Sequence, residues 1–340
     1  MSNPYQPPCT VTPTIINQVA QIAEQLGQLS ARLESARDMR LRRINRIRTI
    51  HGSLAIEGNT LSEAQITAIL DGKRVMAPPR EIQEVRNALK AYDQLSHWQP
   101  ASASDLLGAH RTLMTGLIDD AGQWRSGGVG VMAGEQVIHM APPAKRVPQL
   151  MEQLLGWLDA TDAHPLIASS VFHYEFEFIH PFSDGNGRLG RLWQTLILAR
   201  WYPLFMDIPV ESLVHEHQAA YYAALQASTE QSDAAPFVAF MLDTVLSAIA
   251  SSQVTDQVTD QVTDQVMALL SALDAGVKGA KALMQILGLS HRPSFRDNYL
   301  NPALDGGWIE RTQPDAPRSP TQGYRLTGKG RQCLQQRKES

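Results

Sequence analysis

The sequence predicts a mainly α-helical protein, with one short β-hairpin set among the helices and a small helix-then-strand region at the C-terminal end. Three observations predict this. Apolar residues recur at spacings of three and four through most of residues 14–250. Glycines interleave with β-branched residues between Gly122 and Ile138. A tetrapeptide repeat, Gln-Val-Thr-Asp from Gln253, then separates this stretch from a shorter one of different texture.

Bulk properties narrow the function classes. A chain of 340 residues has room for about two domains. Its 43% apolar and 19% charged content is that of a globular protein. Lys and Arg number 30 against 34 Asp and Glu, a net charge of −4, which excludes a nucleic-acid binder relying on overall positive charge and leaves only local patches. Cys9 and Cys333 sit at opposite ends, excluding a disulfide framework and a Cys-rich zinc site. There is no run of 18 apolar residues, and Met1–Pro8 lacks a basic-then-apolar pattern, so a cytoplasmic protein without membrane association is expected.

Taken in order, residues 1–13 are Pro-rich and expected to be extended until docked. From Thr14 to Arg48 the pattern is helical, with Ile15, Val19, Ile22, Leu26, Leu29 and Leu33 on one stripe. Arg40, Arg42, Arg43, Arg46 and Arg48 crowd its end, as a solvated face or a partner-binding surface. Residues 51–90 carry two helical patterns broken at Gly58-Asn59 and Pro78-Pro79; 102–118 and 145–160 are amphipathic helices. The glycine-rich stretch between them reads as a hairpin closed by Pro142-Pro143. Leu166 to Leu198 gives two apolar helices flanking a glycine-rich break, and 211–250 is helical again. The repeat is expected to be a semi-ordered connector, because Thr and Asp are mediocre helix formers. Beyond it come two helices over 265–288, a third over 293–304, and strands at Trp308–Glu310 and Tyr324–Leu326, the order of a winged helix.

The chemistry concentrates in His180-Pro181-Phe182-Ser183-Asp184-Gly185-Asn186-Gly187-Arg188-Leu189-Gly190-Arg191. Gly185 and Gly187 let backbone N–H groups converge at the start of the outgoing helix, an anion site reinforced by the helix dipole. Arg188 and Arg191, three apart, reach the same anion. Asp184, a carboxylate among groups arranged for negative charge, makes sense with Mg²⁺ between it and phosphates. His180 is the side chain suited to take a proton near neutral pH. Together these groups describe transfer of a phosphorus-containing group.

This segment resembles the Fic family motif, His-Pro-Phe-x-Asp/Glu-Gly-Asn-Gly-Arg-x-x-Arg, at every fixed position. The resemblance implies a Fic-type helical core with a β-hairpin flap and a C-terminal winged helix-turn-helix domain. It implies a protein adenylyltransferase: His180 deprotonates a Ser, Thr or Tyr hydroxyl of a target protein, which attacks the ATP α-phosphate. Asp184 would hold Mg²⁺, and Gly185, Asn186 and Gly187 would cradle the α- and β-phosphates. Arg188 would meet the β-phosphate and Arg191 the γ-phosphate, with Leu189 and Gly190 in the same nucleotide-binding turn. Related Doc-type kinases carry Lys where this chain has Gly187, so Gly187 favours AMP transfer. Residues 128–141 fit the flap, with Val137, Ile138, His139 and Met140 as its target-binding edge. Tyr221 and Tyr222 resemble a pair flanking the adenine pocket; on its own a Tyr pair on a helix is more often packing, and the loop favours the pocket for at least one of them.

Ser53-Leu54-Ala55-Ile56-Glu57-Gly58-Asn59 resembles the family's inhibitory motif, upstream of the catalytic core as in members with an N-terminal inhibitory helix. Glu57 is expected to pair bidentately with Arg191 at a helix end capped by Gly58, with Ser53 and Asn59 supporting it. In some relatives this glutamate positions water to remove AMP, so deAMPylation with Glu57 as hydrolytic base is the alternative. The expected organisation is an N-terminal helical region over 1–100 with the inhibitory helix at about 50–59, a catalytic domain over 101–250, a repeat linker over 251–266 and a winged helix over 267–340. A second alternative is a nucleotide-responsive DNA-binding regulator reading a groove with Arg292, Arg296 and Asn298. A homodimer is a further expectation. His173, Glu175, Glu177, His215, Glu216 and His217 lack His-Glu-x-x-His spacing, so no zinc site is expected.

Overall fold

The computed structural model describes residues 5–32, 38–133, 136–260, 264–274, 276–289, 291–313, 319, 322–331 and 334, without the side chains of 31–41, 130–139 and 253–264. These fold as two compact units, Met1–Gln253 and Val254–Ser340.

The first unit runs α1 (Pro13–Arg32), α2 (Asp38–Ile56), α3 (Glu63–Leu70), α4 (Pro79–Gln94), α5 (Ala103–Met114), β1 (Gly130–Ala133), β2 (Gln136–Met140), α6 (Val147–Ala160), α7 (Pro165–Ile179), α8 (Asn186–Trp201), α9 (Val210–Glu216), α10 (Gln218–Gln231) and α11 (Ala235–Asp260). The stretch read as helical from Thr14 to Arg48 is two helices, and Pro78-Pro79 opens α4 instead of breaking one, because Pro79 needs no N–H at the first helical position. α3 starts with a capping box, Ser62 and Gln65 each satisfying the other's backbone N–H. Ser102 caps α5 by accepting from Asp105 N.

α7 and α8 form the centre. Both are apolar nearly all round, and Leu166, Phe172, Phe176, Leu189, Leu192, Trp193 and Leu196 lie at the heart of one continuous core. That core extends from Ile15 of α1 to Ile249 of α11, so residues on both sides of position 100 pack into it. α11 has the length and composition of a membrane span, but Phe237, Val238, Met241, Leu242 and Val245 are buried in this core. α2 lies close along α9; a Cβ at Gly52 would fall within 2.6 Å of Glu211 O, so only glycine fits there. The Pro-rich segment is docked: Pro8 O accepts from Ala234 N (2.9 Å), Thr10 N donates to Asp233 Oδ1 (3.0 Å), and the Tyr5 hydroxyl to Glu175 Oε2 (2.8 Å). The arginine-rich part of α2 is largely paired, Arg42 with Asp207 (3.4 Å), Arg43 with Asp71 and Arg46 with Asp93 (2.7 Å).

β1 and β2 pair antiparallel, Gly130 opposite Met140 and Ala133 opposite Gln136, with a bulge between Val131 and Met132. In place of a semi-ordered connector, α11 continues as helix through the repeat to Asp260, since Val254 and Val258 extend its four-residue period.

The second unit comprises α12 (Asp264–Leu273), β3 (Lys278–Gly279), α13 (Ala280–Ile286), α14 (Arg292–Phe295), a π-turn over Arg296–Leu300, α15 (Asn301–Asp305), β4 (Ile309–Arg311) and β5 (Gly323–Leu326). The two expected strands are joined by a third: the sheet order is β3-β5-β4, all antiparallel, with Lys278 opposite Tyr324 and Ile309 opposite Leu326. Leu269, Leu270, Leu283, Phe295, Trp308 and Tyr324 share its core, while Arg292, Arg296 and Asn298 are exposed.

Candidate active site

α7 ends at His180, whose backbone turns left-handed (φ 49°, ψ 63°) while its N–H still bonds Phe176 O. The reversal sends the chain through Pro181–Asp184 and back into α8. Gly185 makes the second left-handed turn (φ 83°), where any side chain would also strike Met114. The first-turn N–H groups of α8, at Asn186, Gly187 and Arg188, have no intrahelical acceptor and face the reversal.

Three buried side chains fix this loop. Asn186 clamps it reciprocally: its Oδ1 accepts from Phe182 N and its Nδ2 donates to Phe182 O, both at 2.9 Å. Its side chain is therefore spent on the loop, and only its backbone is free to face an anion, narrower than the cradling expected of it. Phe182 stacks on His110 with centroids 3.6 Å apart. His110 Nδ1 accepts from Gly122 N (2.8 Å), so Nε2 carries the proton and donates to Asp184 O (2.9 Å). Burial holds this imidazole neutral, with its pKa lowered to about 4. Arg125, 3% exposed, donates to His180 O (2.7 Å), Ile179 O (3.3 Å), Gly127 O (2.8 Å) and Pro142 O. One guanidinium thus ties the His180 turn to both feet of the hairpin.

Beneath His180 lies a buried polar layer. Glu177 Oε2 is 3.7 Å from His180 Nδ1, and burial raises its pKa to about 8. His173 Nδ1 donates to Gln194 Oε1 (2.7 Å) and its Nε2 accepts from the Tyr221 hydroxyl (3.1 Å). Tyr221 is 2% exposed and packs on Phe237 and Phe240, so it supports the floor and offers no face to an adenine; Tyr222 beside it is half-buried. Leu189 and Gly190 also turn inward: Leu189 is fully buried, and a Cβ at Gly190 would press on Glu177 and His173. Both pack α8 onto α7.

The charged layer sits above. Asp184 Oδ1 accepts from Gly185 N (2.6 Å) and Arg188 Nη2 (2.9 Å), and Oδ2 lies 3.4 Å from Arg80 Nη2. Arg188 Nη1 reaches Glu84 Oε1 (3.2 Å). Arg191 is held by the end of α2: Nε donates to Ser53 Oγ (3.2 Å), and Nη2 to Ser53 O (3.0 Å) and Glu57 Oε1 (2.7 Å). The expected bidentate pair is a three-point capture, because Ser53 takes part of the fork. Burial disfavours the Arg191 charge, but Glu57, by charge and hydrogen bond, outweighs it together with Tyr221 and Glu177 and the pKa stays above the usual arginine range. Glu57 directly follows α2, a helix of 19 residues. Its turn is capped by Gly58 (φ 87°) and Asn59 N bonding Leu54 O (3.1 Å). A Cβ at Gly187 would fall on Glu57 Oε1, so glycine there is what admits the capture.

Met140, at the end of β2, is 70% exposed; the side chains of Val137, Ile138 and His139 lie outside the described residues. Among the described residues no cluster of three metal-type side chains occurs. Asp184, partly exposed beside the first-turn N–H groups, fits a cation shared with bound phosphates, not one held by protein alone.

Arg125, His110, Glu84 and Arg80 escape a reading of the sequence. His110 did leave a signal, a polar residue on the buried stripe Leu106, Ala109, Leu113.

Residues 100–198 match the Fic/DOC family, and residues 264–327 the C-terminal domain of Filamentation induced by cAMP protein Fic-like. A crystal structure of a Fic family protein from Desulfovibrio desulfuricans G20 is 57% identical, with a TM-score of 0.72 over 95% of this chain and 99% of that one. The chain belongs to the Fic family. Protein adenylyltransferase Fic of Aedes aegypti is 33% identical over 254 residues, 66% of this chain and 48% of that protein. The protein of the same name from Culex quinquefasciatus is 34% identical over 212 residues, 58% of this chain and 39% of that protein. This Fic protein thus spans about half the length, or less, of the curated relatives it matches.

Proposed function

We propose that this Fic protein transfers AMP from Mg-ATP to a Ser, Thr or Tyr hydroxyl of a target protein and is restrained by Glu57. The observation that carries the reading is the pairing of a loop-end histidine with an anion site whose buried Arg191 is already held by Glu57 and Ser53.

The nucleotide phosphates lie along the first turn of α8, their charge met by its N–H groups, Arg188 at the β-phosphate and Arg191 at the γ-phosphate. Asp184 would hold a Mg²⁺, which would supply neutralisation of the phosphate charge. His180 takes the proton from the target hydroxyl, whose oxygen bonds the α-phosphorus as the bond to pyrophosphate breaks. The free edge of β2 pairs with an extended target segment through main-chain hydrogen bonds, and Arg125 sets the distance from that edge to His180. With Glu57 on Arg191, the γ-phosphate loses its anchor and ATP binds unproductively.

The test is transfer from α-labelled and γ-labelled ATP to protein in cell extract with Mg²⁺. The α-label is expected to appear, to rise at least tenfold in Glu57→Gly, and to vanish in His180→Ala. Label from the γ-position alone would make the protein a kinase. Loss of pre-attached AMP without ATP would favour the hydrolytic role of Glu57. The second unit is read as a winged helix; the exposed Arg292, Arg296 and Asn298 favour a duplex-DNA test of the full chain, in which a salt-insensitive or absent shift removes the regulator reading.

A further inference from the structure

We propose that Glu84 is a second carboxylate guarding the nucleotide site: it contests Arg188 as Glu57 contests Arg191, and so sets how tightly a β-phosphate is held. This rests on the assignment of Arg188 to the β-phosphate in the proposed function.

Of the two carboxylates on Arg188, only one has a place in that chemistry. Asp184 Oδ1, at 2.9 Å, belongs to the carboxylate that faces a phosphate-bound cation. Glu84, on α4, has no such use, yet its Oε1 lies 3.2 Å from Arg188 Nη1 and 3.6 Å from Arg80 Nε. The side chains of Arg188 and Glu84 are 6% and 11% exposed, so water screens the contact little. Two arginines and two carboxylates balance here. An arriving phosphate upsets that balance, and Glu84 is the carboxylate that must yield its place on the guanidinium.

Glu84 is also tied to the turn that carries Glu57. Asn59 Nδ2 donates to Glu84 Oε2 (2.8 Å) and to Glu81 O (3.3 Å), and Thr60 N and Oγ1 both donate to Glu81 Oε2 (2.7 and 2.8 Å). Only Gly58 separates Glu57 from Asn59. A movement of this turn that withdraws Glu57 from Arg191 takes Asn59 from Glu84 as well. The two contests are therefore released together, and the site opens as a unit.

Calorimetric binding of AMP, ADP and ATP with Mg²⁺ to the full chain separates the contests. Glu84→Gln, nearly isosteric, is expected to tighten ADP and ATP about tenfold and leave AMP unchanged. Asn59→Ala, which keeps the Glu84 charge but frees its side chain, is expected to tighten ADP about threefold. Glu57→Gly should tighten ATP and leave ADP as it was. Unchanged or weaker ADP binding in Glu84→Gln, with ATP still tightened by Glu57→Gly, overturns the proposal, since Glu84 would then merely orient Arg188. If Glu57→Gly fails to tighten ATP, the proposed function itself falls.

Discussion

The floor of the site and its cover are held by different chemistry. Where α7 hands over to α8, buried side chains bond to backbone: Arg125 to four carbonyls, His110 between Gly122 and Asp184, Asn186 across Phe182. The cover is made of ions, Glu57 on Arg191 and Glu84 with Asp184 on Arg188. A buried carbonyl that loses its donor has nowhere else to turn. A carboxylate on an arginine can be exchanged for a phosphate of like charge and geometry. The floor is suited to keeping a shape, the cover to trading partners.

The largest effect should come from breaking the floor. Arg125→Ala strands several carbonyls and is expected to cost about 3–5 kcal/mol in denaturant unfolding. Arg125→Lys keeps the charge but not the fork, and should fall between the two. A loss under 1 kcal/mol for Arg125→Ala would erase the distinction drawn here.

Next comes pH, because the floor holds titratable groups in their neutral forms. Burial lowers His110 from 6.5 to about 4 and His173 to about 3, and raises Glu177 from 4.5 to about 8. As pH falls below 6.5, the unfolded chain takes up histidine protons that the folded chain refuses, and stability falls. As pH rises from 4.5 to 8, the unfolded chain releases the Glu177 proton that the folded chain keeps, and stability falls again. Two histidines outweigh one carboxyl below 6.5, so these groups place the maximum near that pH. Glu177→Gln should abolish a loss of about 2 kcal/mol between pH 6.5 and 8, read from unfolding midpoints at the two values.

The cover should register less in stability than the floor. Glu57→Gln leaves the buried Arg191 its two bonds to Ser53 but no carboxylate, and is expected to cost about 1–3 kcal/mol in denaturant unfolding while raising α-label transfer. Gly187→Ala is the smallest perturbation. Its Cβ would meet both Glu57 Oε1 and Arg191 Nη1 (2.9 Å), loosening the pair from both sides, and labelling should land between wild type and Glu57→Gly.

The same contrast explains what the sequence made legible. Residues 180–191 carry the anion site contiguously, and Glu57 stood at a recognisable spacing from Ser53, so both could be read along the chain. Arg125, Glu84 and Arg80 are single residues that acquire a role only when α4 and the hairpin are folded against the loop; nothing local marks them. A Tyr pair on a helix has the same spacing whether it faces a ligand or the core, so the packing of Tyr221 on His173, Phe237 and Phe240 could not be read along the chain. The helices were legible from their apolar stripes, but β3 was not, since two residues pair only by virtue of the strand beside them.

One feature of the floor bears on how this protein would fare under selection in the laboratory. A histidine, not a glycine, stops α7 in a left-handed conformation, at a cost of about 1 kcal/mol. In a library screened for heat resistance alone, His180→Gly is the substitution that position would reward, and every winner would be chemically inert. Thermostabilising this protein therefore requires an activity filter at the residue where its fold would gain most from change.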